Sequence, residues 1–183
     1  MEDGHRLTRR HALAVAGAAI GLAGCQAPAD ITPVAIPPEA RCDRCGMQIH
    51  AHPGPTAQVF FPAEAPHGRE GPAWFDSTWE AYQYVFEQEQ EPVAWFVTDY
   101  SAVEPALTVD DGVHTIAREV HAQSFRAVEA VSLVADSRVV GAMGRDLIGF
   151  GERDDAVAFQ RAHGGAVTTH GAVTPALIGL LGR

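Results

Sequence analysis

The chain has 183 residues with 13 basic and 23 acidic side chains, and its formal net charge is −10 at pH 7. Such an acidic chain is repelled by a phosphate backbone, which excludes nucleic acid as a partner. The composition, with 46% hydrophobic and 20% charged residues, is typical of a globular protein and not of a disordered one. Lysine and asparagine do not occur, which fits a high-salt habitat and GC-rich coding equally well.

Residues 1–24 are predicted to be an export signal. Arg9 and Arg10 precede an apolar run over residues 12–23, which is shorter than the roughly 20 residues that a bilayer-spanning helix needs. This layout is typical of a secretory signal, and the paired arginines indicate the twin-arginine type. Residues 22–25, LAGC, resemble a lipobox, so Cys25 is predicted to carry the lipid anchor. The alternatives are a signal that is cleaved without lipidation and a cytosolic helix.

Residues 25–40 contain four prolines and no hydrophobic period. Proline fixes φ and lacks a backbone donor, so this segment is predicted to be a semi-extended tether. The remaining residues, 41–183, are predicted to form the folded domain.

The first half of this domain, about residues 41–100, is predicted to contain two strands, a helix and a third strand. Residues 56–62 and 73–75 form the first two apolar runs. Ser77 and Glu80 have the spacing of a capping box, and the helical period that follows should end near Gln90. Residues 93–97 are predicted to be a buried strand.

The second half, about residues 101–183, repeats this order. Strands are predicted over 130–134 and 147–150, a helix over 152–163 that two glycines end, and a strand over 166–169. A shift of 75 residues aligns Phe75 with Phe150. The predicted fold class is therefore α+β, with two similar ββαβ units. A last helix is predicted over residues 174–181.

The strongest local motif is CDRCGM at residues 42–47. Two thiolates that are two residues apart can meet at one metal ion, and Gly46 allows the tight turn that this requires. Met47 adds a thioether, and thiolate and thioether donors together select Cu(I). The alternatives are a structural zinc site, a thiol redox centre and a plain disulfide. No second CxxC is present to complete a zinc site.

Other candidate ligands are few. Beyond Met1 the chain has two methionines, and Met143 lies between glycines in the sequence GAMG, a poor context for core packing. Met143 is therefore a candidate third sulfur donor. His50 and His52 are the candidate nitrogen ligands because they follow the thiol motif closely. Asp43 and Asp76 are candidates for oxygen ligands or for supporting groups.

These motifs together resemble the nitrous oxide reductase accessory lipoprotein (NosL) family. The resemblance depends on the lipobox, the CxxCGM motif, Phe75 with Asp76 before a helix, and a helix that ends in His-Gly-Gly. It also includes MGRDLIGF at residues 143–150 and extends over most of residues 40–165.

The resemblance implies two ββαβ units related to the organomercurial lyase fold, and a copper chaperone instead of an enzyme. It implies a Cu(I) site formed by Cys45, Met47 and Met143, with Cys42 as an optional fourth ligand. It places the protein outside the cytoplasmic membrane, in the periplasm or at the cell surface, anchored by lipid at the membrane's outer face. The implied partner is nitrous oxide reductase or its maturation transporter complex. The alternatives are a CxxC redox or organometal-processing enzyme and a structural zinc-binding lipoprotein.

Overall fold

The structure is a computed structural model that describes residues 31–62 and 71–182. Over these residues the chain forms two β-sheets and three α-helices, which confirms the α+β class. None of the helices in these ranges is long and apolar enough to span a bilayer. The predicted signal at residues 1–24 and the predicted lipid-bearing Cys25 lie outside the described residues.

The first ββαβ unit is built around strand β1 (Ala57–Phe60). β1 pairs in antiparallel fashion with β2 (Ala73–Phe75) on one side and with β3 (Ala94–Thr98) on the other. Helix α1 (Thr78–Phe86) connects β2 to β3. The order of elements is the one that the hydrophobic pattern predicts.

Helix α1 ends at Phe86, four residues before the predicted end near Gln90. The backbone N–H groups of Glu87 and Gln88 donate to carbonyls three residues back, at 3.1 and 3.0 Å. Such bonds tighten the last turn into 3-10 geometry and satisfy terminal carbonyls, so they end the helix before the apolar pattern fades.

The segment between the two units adds three strands that the sequence pattern does not predict. β4 (Leu107–Asp110) and β5 (Val113–Ile116) form a hairpin at the edge of the second sheet. β6 (Phe125–Ala127) pairs with β3 and gives the first sheet the order β2-β1-β3-β6. The first sheet therefore takes one strand from beyond residue 100.

The second ββαβ unit is built around β7, which pairs with three other strands. Its pairing with β8 and β9 is antiparallel, and its short pairing with β5 is parallel. A short last helix follows. The elements are β7 (Ser132–Gly141), β8 (Gly144–Phe150), α2 (Arg153–His163), β9 (Ala166–Thr169) and α3 (Pro175–Ile178).

The two units repeat in register as well as in order. In the first unit Ala57 lies opposite Phe75, and in the second Ser132 lies opposite Phe150. Both partners differ by 75 residues between the units, which is the shift that the sequence suggests. The two predicted ββαβ units are thus confirmed.

Strand β7 is longer than its predicted range of 130–134. Its pairing with β8 is irregular between Ala135 and Val140, and Asp136 has a φ of 58° in this stretch. The strand resumes pairing beyond this irregular stretch, so β7 is one continuous strand that extends well past its predicted end at residue 134.

Residues 31–40, the second part of the predicted tether, pack against the domain. Ile36 is buried, and its N–H donates to the carbonyl of Val120 at 2.8 Å. The backbone of Val34 exchanges two hydrogen bonds with the buried side chain of Gln58, both at 3.0 Å. This part of the chain therefore supplies core and pairing contacts.

Two hydrophobic cores support the sheets. The first lies between the first sheet and α1 and includes Phe75, Tyr82 and the buried thiol-bearing residue Cys42. The second lies beneath α2 and includes Phe150 and Phe159. The thiol motif is therefore attached to the first core.

Candidate metal centre

The CxxCGM motif forms a closed loop. The N–H of Cys42 donates to the carbonyl of Met47 at 2.8 Å, and the N–H of Gly46 donates to the carbonyl of Cys42 at 2.9 Å. Gly46 has a φ of +76°, a backbone conformation that is unfavourable for residues with a side chain. The turn brings both sulfurs to the same side, as the spacing predicts.

Side chains of the same loop fix it to the first ββαβ unit. Asp43 accepts the N–H of Trp74 at 2.7 Å and donates its own N–H to the Trp74 carbonyl at 2.8 Å. Arg44 binds Gln83 at 2.9 Å and Glu87 at 2.6 Å on the surface of α1. Asp43 thus supports the loop from β2, and Arg44 supports it from the helix.

Four ligand-type side chains meet at this loop. The ligand atoms of Cys42, Cys45, Asp76 and Glu80 all lie within 4.8 Å of one another. The Cys42 thiol donates to Glu80 at 3.0 Å, and the Cys45 sulfur lies 3.8 Å from both oxygens of Asp76. Only Cys45 is exposed, since the exposed fractions of Cys42, Asp76 and Glu80 are 3%, 1% and 2%. We call these residues the thiol–carboxylate cluster.

The cluster favours protonated thiols in the absence of metal. Burial raises the pKa of Cys42 far above that of a free cysteine, and burial also raises the pKa of Cys45. The pKa of Glu80 is raised by burial and by its interaction with Asp76. A catalytic thiol needs a lowered pKa, so these directions argue against the redox and organometal-processing alternatives. A metal ion that binds here must release thiol protons.

We expect the two thiols to differ sharply in alkylation. Iodoacetamide attacks the thiolate, and Cys45 is exposed whereas Cys42 is buried and has the higher pKa. In the metal-free, reduced chain, Cys45 should react on the order of 100 times faster than Cys42. The rate of Cys45 alkylation should rise with pH, and the midpoint of that rise should lie above the midpoint for a free cysteine thiol. Mass spectrometry of the labelled peptides between pH 7 and 10 measures both rates. Equal rates, or a Cys45 midpoint below that of a free thiol, would contradict this expectation.

The other predicted ligands, two methionines and two histidines, are not members of the thiol–carboxylate cluster, which is defined by cysteine sulfurs and carboxylate oxygens. Met47 is half-buried at the end of the thiol loop, and Met143 is half-buried in the two-residue turn between β7 and β8. The ring Nε2 of His50 is 2.9 Å from the carbonyl oxygen of Ile36, so His50 serves the packed N-terminal segment. His52 is not part of the cluster either.

The contact of Glu80 with a thiol was not predicted from the sequence. Its capping-box prediction is confirmed for the backbone, because Ser77 Oγ accepts the Glu80 N–H at 3.2 Å. The Glu80 carboxylate, however, turns to Cys42. Asp76 was predicted as an oxygen ligand or a supporting group, and the structure places it beside Cys45. A signal for Asp76 was available, because it immediately follows the apolar strand β2, whereas Glu80 lies in the first turn of α1 and had no such signal.

An exposed thiol beside a buried one, with two carboxylates behind them, defines a candidate metal-binding protein on an α+β scaffold. The model of the NosL family matches residues 33–178. This is more than half of the chain, so the chain belongs to the NosL family.

Individual relatives agree with this assignment. The copper-binding lipoprotein NosL of Achromobacter cycloclastes is 28% identical over 175 residues, which cover 93% of this chain and 83% of the relative. The crystal structure of the copper chaperone NosL from Shewanella denitrificans matches with a TM-score of 0.65 and 24% identity, over 78% of this chain and 95% of that one. This second likeness shows the fold. The solution structure of apo-NosL from A. cycloclastes has a TM-score of 0.43 at 25% identity, over 67% of this chain and 87% of that one.

Proposed function

We propose that this protein is a metallochaperone that binds Cu(I) as its cargo. The observation that supports this most directly is the preformed pair of thiols, one exposed and one buried, on a fixed loop. The proposed ligands are Cys45, Met47 and Met143, with Cys42 as an optional fourth ligand. Cys45 offers the cargo an exposed thiol through which a partner can exchange it.

The chemistry of the donors favours Cu(I) over harder ions. Thiolate and thioether sulfurs are soft ligands, and the chain places Met47 two residues after Cys45. Asp76 and Glu80 lie behind the thiols, where Glu80 accepts a hydrogen bond from the Cys42 thiol in the metal-free state. They thus offer oxygen acceptors to the protons that ligand formation displaces.

We further propose that the protein is exported and anchored by a lipid on Cys25 at the outer face of the cytoplasmic membrane. There it would supply copper for the maturation of nitrous oxide reductase, through the enzyme itself or its transporter complex. The names of the two relatives, a copper-binding lipoprotein and a copper chaperone, support export and copper delivery. A carrier role needs no catalytic residue, and we assign none.

The function is tested by titrating the full, reduced chain with Cu(I) against a competing chelator. The double variant Cys45→Ser, Met47→Leu should bind Cu(I) at least about 100-fold more weakly, equivalent to about 2.7 kcal/mol. The matched control is Cys25→Ser, which removes a sulfur outside the cluster and should leave the affinity within about twofold of wild type. Full affinity in the double variant would overturn the proposal.

The two carboxylates give a specific reason to test a second candidate, a structural zinc site. Zn²⁺ accepts thiolate and carboxylate ligands in tetrahedral sites, and Cys42, Cys45, Asp76 and Glu80 supply two of each. Metal analysis of protein purified under reducing conditions separates the two candidates. Zinc that resists chelation while Cu(I) fails to displace it would favour the structural site.

A further inference from the structure

Asp146 is a buried acidic residue that the proposed ligand set does not use. It lies in strand β8 within the MGRDLIGF segment, and its exposed fraction is 1%. One carboxylate oxygen, Oδ1, accepts the N–H of Trp79 at 2.8 Å and the N–H of Leu147 at 2.7 Å. Trp79 lies in the first turn of α1, so Asp146 caps that helix from a distant part of the chain.

The same helix end bears the thiol–carboxylate cluster. Asp76 immediately precedes the N-cap Ser77, and Glu80 lies in the first turn. These two carboxylates contact the sulfurs of Cys45 and Cys42. Asp146 and the thiol loop are therefore attached to the same turn of α1.

Asp146 also limits where Met143 can lie. Met143 is in the turn between β7 and β8, which the paired Gly141 and Gly144 close. Three residues span at most about 10 Å, so the Met143 backbone lies within about 10 Å of Asp146. Because Asp146 is hydrogen-bonded to α1, this link keeps Met143 near the N-terminus of that helix.

A second contact holds the same turn from the other side. The backbones of Gly54 and Gly141 approach so closely that a Cβ on Gly54 would lie 2.7 Å from the Gly141 Cα. Gly54 belongs to the segment that follows the thiol loop and its 3-10 turn. The turn between β7 and β8 is therefore packed between this segment and the N-terminus of α1.

The burial of Asp146 is costly, which indicates more than a packing role. Its second oxygen, Oδ2, has no hydrogen-bond partner among the described residues. Burial raises the pKa of Asp146 to about 7, against the hydrogen bonds that lower it. An incompletely paired buried carboxyl costs free energy, so filling space in the core does not by itself account for an acidic residue at this position.

We propose that Asp146 is a positioning residue that holds the Met143 turn beside the Cys42–Cys45 loop, so that the Met143 sulfur can reach the cargo. This inference rests on the proposed function, in which Met143 is a Cu(I) ligand.

The test uses the full, reduced chain with ¹³C-labelled methionine methyl groups, which Met→Leu variants assign. In the wild type, addition of Cu(I) should shift the methyl resonances of Met47 and Met143. In Asp146→Ala, the Met143 shift should be lost while the Met47 shift remains, and the Cu(I) affinity should fall about tenfold. Asp146→Asn should behave as wild type, since its amide oxygen can still accept the Trp79 N–H. If Asp146→Ala does not fold, Asp146→Ser replaces it, because a serine hydroxyl is too short to reach Trp79.

Two comparisons separate positioning from a general loss of stability. In a Met143→Leu background, Asp146→Ala should cause no further loss of affinity. Val128→Ala, which creates a cavity at a fully buried position of the first core, should destabilise the chain and leave the Met143 shift intact. The inference would be overturned if Cu(I) shifted the Met143 methyl resonance in Asp146→Ala as far as in the wild type. It would also be overturned if Asp146→Ala reduced the Cu(I) affinity as much in the Met143→Leu background as in the wild type.

The same spectra distinguish failure of this inference from failure of the proposed function. If the wild-type Met47 methyl shifts and Met143 does not, the positioning role is wrong and Cu(I) binding at Cys45 and Met47 stands. If neither methyl shifts and the chain does not hold Cu(I) against the chelator, the proposed function fails with it.

Discussion

Replacing Asp99 with alanine should lower the free energy of unfolding by about 3–5 kcal/mol, because it leaves buried hydrogen-bond donors unpaired at roughly 1–3 kcal/mol each. Asp99 has an exposed fraction of 1% and follows β3. One oxygen accepts N–H groups of Ser101 and Gly151 at 2.9 and 2.6 Å, and the other accepts from Arg126 Nε at 2.5 Å. Burial opposes its ionisation, yet these hydrogen bonds hold the pKa of Asp99 below its usual value. The variant leaves several donors without an acceptor at the junction of the two ββαβ units.

Urea unfolding followed by far-ultraviolet circular dichroism measures this loss. The control is Arg145→Ala, which breaks the ion pair between Asp136 and Arg145 at 2.6 Å without a change at a residue of positive φ. Both of those side chains are 49% exposed, so the control should change stability by no more than about 1 kcal/mol. Equal losses in the two variants would show that Asp99 is not the structural junction that its contacts indicate.

The second large effect is expected at Gly165, next to a matched control at Gly164. Both residues have positive φ, +87° and +76°, so alanine at either position costs roughly 1–3 kcal/mol of backbone strain. A Cβ at Gly165 would also overlap the carbonyl oxygen of Ala135 and lie 2.9 Å from the N atom of Ser137. This close approach to β7 adds about 1–3 kcal/mol. At Gly164 a Cβ meets nothing within 4 Å.

Gly165→Ala should therefore destabilise the protein by about 2–6 kcal/mol and Gly164→Ala by about 1–3 kcal/mol. The two variants have the same composition and differ by one position, so their unfolding midpoints in urea can be compared directly. A Gly164→Ala variant that is as unstable as Gly165→Ala would show that strain alone decides both outcomes and that the contact with β7 contributes nothing.

Local signals were sufficient to predict most of the two ββαβ units. The Ser77 capping box and the glycines after α2 are signals within short stretches of sequence, and the structure has the helix start and the helix end that they predict. The 75-residue shift is a repeat of the hydrophobic pattern, and the strand register repeats with the same shift. The extension of β7 past Ala135 was not predictable in this way. It depends on a bulge that pairing with β8 stabilises, and pairing is a property of two distant segments.

The candidate site was likewise predictable from the sequence only where short-range signals determine it. The convergence of Cys42 and Cys45 follows from their spacing and from Gly46, because one tight turn decides it. The positions of Asp76 and Glu80 beside the thiols depend on how β2 and α1 pack against the loop. Glu80 also carried a sufficient local explanation as a capping residue, which concealed its contact with the thiol. The placement of Asp146 on α1 is a contact across 67 positions of chain and has no local signature.

The burial of three of the four cluster residues has a consequence for the order of events in copper transfer. Of these four residues only Cys45 reaches the surface, so under the proposed function a copper donor and a copper acceptor would approach the cluster through the same opening. The donor and the acceptor cannot occupy this opening together, so the proposed carrier binds one of them at a time. Excess donor should then compete with the acceptor and slow delivery, as a second substrate does in a ping-pong reaction.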